Sequence, residues 1–242
     1  MSARQQQFPP MIAIIGCDGS GKSTVSEQVL SYAGKYGPAA LAHLGKQAGN
    51  VRRALARLPL LGRWFEWLIS CKVATVNKSH AKNKTPGILP AIVMYAFAIR
   101  RVRRFRRMLA LREQGMIIIT DRFPQLDFPK AFDGPELNVE VEGNFIVRWL
   151  ARREHAAFEW MTRYKPDLVI RLNVDIDTAM ARKPDHIREA LMKKIAITPQ
   201  LTFQGAPIVD IDTAQPLEDV VNAANAALAD IMAELGYRQS KP

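Results

Sequence analysis

The stretch at 16–24, GCDGSGKST, gathers the residue types that handle phosphate. It fits the pattern G-x-x-x-x-G-K-[ST], and its surroundings supply the context that the pattern needs. MIAII at 11–15 reads as a short buried strand, and STVSEQVLSYAGKYG reads as a helix ending on Gly34 and Gly37. Gly16, Gly19 and Gly21, with Ser20 between, would let successive backbone N–H groups converge on phosphate oxygens at the positive end of that helix. Lys22 would reach the β- and γ-phosphates, the Ser23 hydroxyl would ligand Mg²⁺, and Thr24 closes the cradle. The expected ligand is ATP with Mg²⁺.

Asp18 stands out inside this loop, because a carboxylate close to phosphates is electrostatically unfavourable. It reads either as turn chemistry or as an acid pointing away, toward the hydroxyl groups of an acceptor.

Around the loop, four more short apolar runs read as strands: 39–45, 116–120, 167–174 and 206–212. Helical patterns separate them, so the expected architecture is α/β, a five-stranded parallel sheet flanked by helices. No repeat or low-complexity tract divides the 242 residues, and one domain over 1–242 is expected. Two segments read as insertions on it: an Arg-, Trp- and Leu-rich stretch at about 46–90, and a basic stretch at about 182–204 broken by Pro184 and Pro199.

A hydrophobic fraction of 48% is globular, and the net charge of +11 implies anionic partners without choosing among nucleotides, nucleic acid and acidic lipid. Cys17 and Cys71 give no disulfide framework and suggest packing residues in a reducing compartment. The start, MSARQQQFPP, carries no apolar signal-peptide core, and the apolar run at 87–99 is short of the roughly 20 residues that span a bilayer. A cytoplasmic protein is expected. His43, His80, His155 and His186 show no ligand-like spacing, so no zinc site is read.

With these residues in view, the chain resembles the thymidylate kinase branch of the nucleoside and nucleotide kinases. GCDGSGKST is similar to that family's loop, which commonly carries an acid at the position of Asp18, associated with the acceptor sugar. MIIITDRF resembles its strand ending in Asp-Arg and an aromatic, here Asp121, Arg122 and Phe123. PDLVIRLNVDIDTAMAR and IVDIDTAQPLEDVVNAANAAL resemble its last two strands with their helices. The resemblance implies a P-loop kinase in which Asp121 and Ser23 manage the metal while Lys22 and Arg122 hold phosphates. Physical chemistry agrees for the pair, since a strand-end Asp can organise Mg²⁺ and a guanidinium fork suits phosphate oxygens. A structural ion pair is the alternative.

FAIRRVRRFRRML places six arginines within 100–107, and Ala98, Val102, Phe105 and Leu109 make an apolar stripe beneath them. Most of these arginines therefore read as solvated or ligand-facing. Phe97 and Arg101, four apart, match the spacing of the family's base-stacking Phe and base-bonding Arg, with Arg100 as a rival for the latter; packing for Phe97 and surface for Arg101 is the competing reading. ARKPDHIREALMKK resembles the lid that closes over ATP, with Arg182, Lys183 and Arg188 as cations for the transferred phosphoryl, or else as an ordinary basic helix face.

The chain departs from the family where the acceptor is chosen. The family's Phe-Pro-x-Arg is not present; HLGKQAGNVRR stands instead, with Lys46, Arg52 or Arg53 as substitutes. After Asp-Arg-Phe the thymine-recognising residues are replaced by PQLDFPKAFDGPEL. The leading expectation is ATP-dependent phosphorylation of a nucleoside monophosphate. Two others stand beside it: a kinase of a nucleoside, sugar or lipid-linked saccharide, and a membrane-associated ATP switch. The last draws on the basic face and on LLGRWFEWLI at 60–69. Nucleotide substrates are the expected partners, the resemblance admits a homodimer, weak association with an anionic membrane surface is retained, and no dedicated nucleic-acid site is read.

Overall fold

The computed structural model describes residues 8–45, 86–140 and 144–239. Lys46, Arg52, Arg53, the 60–69 stretch, Cys71 and His80 lie outside the described residues.

Five strands form one parallel sheet: β1 (Met11–Gly16), β2 (Ala39–His43), β3 (Ile117–Asp121), β4 (Leu168–Asn173) and β5 (Ile208–Asp212). Their order is β2-β3-β1-β4-β5, with every neighbouring pair parallel. The α/β architecture and the five expected strands are as the sequence predicts. Helices connect them: α1 (Lys22–Ala33), α2 (Ile88–Glu113), α3 (Phe145–Thr162), α4 (Ile176–Arg182), α5 (Arg188–Ile197) and α6 (Leu217–Glu234).

A parallel sheet covered on both faces needs strands that are apolar on both sides, and side chains alternate between the faces. Met11, Ala13 and Ile15 of β1 join one core with Phe105 of α2 and Phe158 and Met161 of α3. Ile12 and Ile14 join the other, with Val25 and Val29 of α1 and Val220 and Leu228 of α6. All six residues of β1 are buried. It is the central strand: the chain leaves it for β2 and returns to β3 on one side, then crosses to β4 and β5 on the other. That divergence opens a crevice at the carboxyl ends of the strands, where α/β sheets hold ligands.

The Arg-rich helix α2 turns its stripe inward as expected, with Ala98, Val102 and Phe105 buried; Met108 is buried there too, and Leu109 is partly so. Arg103, Arg106 and Arg107 are exposed, but Arg101 is inside at 4% exposure. Phe105 anchors this layer. Its ring meets Phe123 at 5.8 Å, Trp160 at 5.6 Å and Tyr164 at 5.7 Å, all edge to face.

The basic stretch at about 182–204, expected as a lid, begins at the end of α4 and holds α5 and two short 3-10 turns, Thr198–Gln200 and Phe203–Gly205. Its far end is pinned by Arg171 of β4. That guanidinium grips Asp210 through Nε at 2.6 Å and Nη2 at 2.7 Å, and its Nη1 donates to the carbonyls of Pro199 at 2.9 Å and Leu201 at 3.2 Å.

Phe105→Ala would empty the centre of the aromatic cluster. The expected loss is about 3–5 kcal/mol of unfolding free energy, read from urea denaturation; a loss below about 1 kcal/mol would contradict the packing described.

Candidate functional site

At the end of β1 the backbone turns through two glycines that tolerate no side chain. A Cβ on Gly16 would lie 2.5 Å from Ser20 Oγ and 2.7 Å from the Leu172 carbonyl oxygen. Gly19 sits at φ +89°, and a Cβ there would come within 2.8 Å of the Ala179 carbonyl oxygen. Helix α1 then starts from Gly21 with no side-chain cap and no acid in its first turn. Its first N–H groups and its positive dipole end are thus offered to an anion.

Lys22 folds back over the loop, its Nζ donating to the Cys17 carbonyl at 2.5 Å. Burial, aided by the charge of Arg122, lowers its pKa to about 8. An open pocket of about 420 Å³ lies over the loop, and Asp18, Gly19, Gly21, Lys22, Ser23 and Thr24 line it. Asp121 and Arg122 from β3, and Arg182, Lys183 and His186 from the lid, complete it. Gly16 and Ser20 support the turn from beneath, and Ser20 is fully buried.

A chain of charges runs along one wall. Asp133, in the loop after β3, is 6% exposed. Its carboxylate accepts from Arg101 Nη2 at 2.6 Å and from Arg122 Nη1 at 3.5 Å, and its carbonyl accepts from Arg101 Nη1 at 2.6 Å. Arg101 Nε adds a bond to the Leu44 carbonyl at 3.1 Å. Arg122 also donates through Nη2 to Asp18 at 3.2 Å, and Lys194 of the lid donates to the other Asp18 oxygen. His186 lies 3.9 Å from that same oxygen. Burial opposes the Asp18 carboxylate, but the Lys194 hydrogen bond and the charges of Lys194, Lys22 and Arg122 outweigh it, bringing its pKa to about 2. Arg122 holds φ +71°, an uncommon conformation outside glycine, in the residue that joins Asp133 to Asp18. Asp133 foremost, against burial, keeps its guanidinium protonated even more firmly than usual.

On the opposite side, Asp121 stands at the end of β3, in register with Ile14 of β1 and His43 of β2. Its Oδ2 lies 3.3 Å from His43 Nδ1, while Oδ1 is buried without a hydrogen-bond partner among the described residues. A buried carboxylate oxygen left unmatched beside a phosphate cradle fits a hydrated Mg²⁺, which takes one or two carboxylates and keeps waters and phosphate oxygens for the rest. Ser23 lines the same pocket, where its hydroxyl would be available to such an ion. No cluster of three or more His, Cys, Asp or Glu side chains suited to a metal occurs among the described residues.

The remaining sequence expectations divide. Arg182 reaches the cradle, donating to the Gly19 carbonyl at 3.2 Å and the Thr213 carbonyl at 2.8 Å. Arg188 turns outward to Asp177 at 2.8 Å, in an exposed pair. Phe97 and Arg101 line one narrow cleft between α2 and α3, with Glu136, Glu154 and Phe158 on its other walls. There Arg101 is neither surface nor free; Asp133 and two backbone carbonyls hold it. Lys194, Asp133 and His43 were not singled out by the sequence. Lys194 had a signal, closing the basic stretch ARKPDHIREALMKK, whereas nothing local marks Asp133.

Similarity to known proteins agrees with this geometry. Over 220 residues the chain is 41% identical to the uncharacterized ATP-binding protein YghS of Escherichia coli (strain K12), covering 90% of this chain and 92% of that protein. The chain belongs to the family of YghS. A second member, the uncharacterized ATP-binding protein YghR of the same strain, is 34% identical over 223 residues, 92% of this chain and 88% of that protein. No protein-family model matches.

For this YghS-family chain, Asp133→Ala would strand the buried Arg101 guanidinium. Breaking a buried pair by removing one partner costs about 3–5 kcal/mol, so the urea midpoint should fall steeply; an unchanged midpoint would mean that the pair carries no load.

Proposed function

We propose that the chain transfers the γ-phosphoryl group of ATP to a nucleoside monophosphate, as the resemblance to thymidylate kinases suggests. The printed names of YghS and YghR support the ATP half of this reading. The observation that carries the other half is the direction of Asp18. Its carboxylate, in the wall of the pocket over the loop, is held by Arg122 and Lys194, and in this reading it orients the acceptor and not the phosphates.

In this reading Lys22 and the N-terminus of α1 hold the β- and γ-phosphates, and Arg182 and Lys183 cover them from the lid. Bound Mg²⁺, held by Ser23 and Asp121, would neutralise charge on the phosphates. Arg122 orients the two reacting groups, and Asp18 orients the acceptor sugar. An oxygen of the acceptor phosphate bonds to the γ-phosphorus as the bond to the β–γ bridging oxygen breaks, and ADP leaves with that electron pair. The attacking oxygen arrives deprotonated, so the protein's task is positioning and charge neutralisation.

One observation favours a second reading, with a neutral hydroxyl as acceptor. Arg101 and Arg122 already face Asp133, and Arg122 faces Asp18 as well, which lessens their pull on an acceptor phosphate. Asp18 would then accept the hydrogen bond of the attacking hydroxyl.

An acceptor screen decides between these readings. Nucleoside monophosphates, nucleosides and sugars are offered with MgATP, and product mass is read with ADP release. The expected result is a diphosphate product from a monophosphate and loss of turnover by at least about a hundredfold in Lys22→Ala. ATP consumed without an acceptor, or a phosphorylated nucleoside or sugar as product, would overturn the proposal.

The Lys22 ammonium gives a second test. In the free protein it deprotonates near pH 8, and bound triphosphate favours its charged form. MgATP binding should therefore take up a proton above pH 8, and Kd should rise by up to tenfold per pH unit from there. Titration calorimetry between pH 7 and 9.5 reads this, and a flat Kd would contradict it.

A further inference from the structure

Helices α2 and α3 lie side by side and parallel. Tyr95 meets Trp149 at 6.3 Å near their starts, Arg101 lies over Phe158 midway, and Phe105 meets Trp160 further on. Their N-terminal ends therefore share one end of the layer. Helical periodicity puts Ile88, Ile92 and Arg103 on one line of α2, and Phe145, Trp149, Arg152 and Arg163 on one line of α3. The apolar members are exposed: Ile92 at 45%, Phe145 at 72%, Ile146 at 44% and Trp149 at 45%. Arg103, Arg107, Arg152 and Arg163 are exposed as well. Each helix thus shows solvent an apolar start followed by arginines, with the exposed Glu159 between Arg152 and Arg163 on α3, and the two patterns run in the same direction.

We propose that this face docks on an anionic lipid surface, with the Ile92, Phe145, Ile146 and Trp149 end entering the headgroup boundary and the arginines facing the lipid phosphates. Exposed apolar patches rimmed by charge mark interaction sites. Aromatic and branched side chains beside arginines are what a peripheral protein presents to a bilayer interface. Charge decides the occupant. A second copy meeting this face about a two-fold axis would set arginine stripes against each other. A nucleic acid would engage the arginines and leave the isoleucines and Phe145 in water. An anionic bilayer engages both halves, and the net charge of +11 favours it at a distance. The pocket over the phosphate loop contains none of these residues, so docking leaves it open.

The test is flotation of the full chain with vesicles of phosphatidylcholine alone and of phosphatidylcholine mixed with phosphatidylglycerol. The chain should float with the mixed vesicles at low salt and not with the neutral ones. Each arginine near such a surface strengthens binding on the order of fivefold, so Arg103→Glu with Arg107→Glu should weaken it by roughly 25-fold or more. Phe145→Ser with Trp149→Ser should weaken it at least about tenfold, with MgATP affinity retained. Hydrogen exchange on the unaltered chain gives a reading independent of any variant: amides at 88–96 and 145–149 should slow on adding mixed vesicles. Four results would overturn the proposal: no flotation at low salt, flotation indifferent to both pairs, a dimer that Phe145→Ser with Trp149→Ser dissolves in a chain that ignores vesicles, or RNA binding by a chain that ignores them.

Discussion

One buried carboxylate governs how this site is built. Asp133 stands between the guanidiniums of Arg101 and Arg122, and Arg101 could not be buried there without it. Arg101 ties Asp133 to α2 and, through the Leu44 carbonyl, to the end of β2. Arg122 carries the same constraint to the phosphate loop, where it meets Asp18. Lys194 then continues the line into the lid. Charges alternate along this path, so each one offsets the desolvation of its neighbours, and removing any inner member exposes the next. Elements remote in sequence are thereby held in one geometry around the mouth of the pocket.

The two ionisable groups inside the loop respond oppositely to that environment. Lys22 loses more from burial and from Arg122 than it regains from Asp18 and Asp121, so its pKa drops to about 8. Asp18 also loses by burial, but Lys194, Lys22 and Arg122 more than compensate, and it stays ionised to about pH 2. The cradle thus holds a cation that a triphosphate would stabilise and an acid already stabilised by cations. In the proposed reading Lys22 serves the donor phosphates and Asp18 the acceptor. Asp121 belongs to a third category, since its unmatched Oδ1 lies beside the cradle as an opening for a metal.

Much of this was legible in the sequence, for local reasons. The strands are short apolar runs with distinct turn residues, and GCDGSGKST fixes a strand, a turn and a helix start by itself. Asp121 and Arg122 were legible because they end such a run. The acceptor side was not, because its geometry depends on contacts over long separations. Arg101 and Asp133 are 32 residues apart, and Asp18 and Lys194 are 176 apart. Arg101 sits in a run of six arginines most of which read as solvated or ligand-facing, and a carboxylate from a distant loop makes it a buried one. Arg188 pairs with Asp177 at the start of α4 and does not line the pocket over the loop. No exposed polar pattern reveals such pairings beforehand.

The central claim is that the loop acid serves the acceptor and not ATP. It is tested most directly by steady-state kinetics and MgATP binding of Asp18→Asn, using whichever acceptor the wild-type chain phosphorylates. A lost hydrogen bond to a charged group weakens binding by roughly 10- to 150-fold, and the account predicts that loss in kcat/KM for the acceptor, with the Kd for MgATP nearly unchanged. A change confined to the MgATP Kd, with the acceptor's kcat/KM intact, would contradict it.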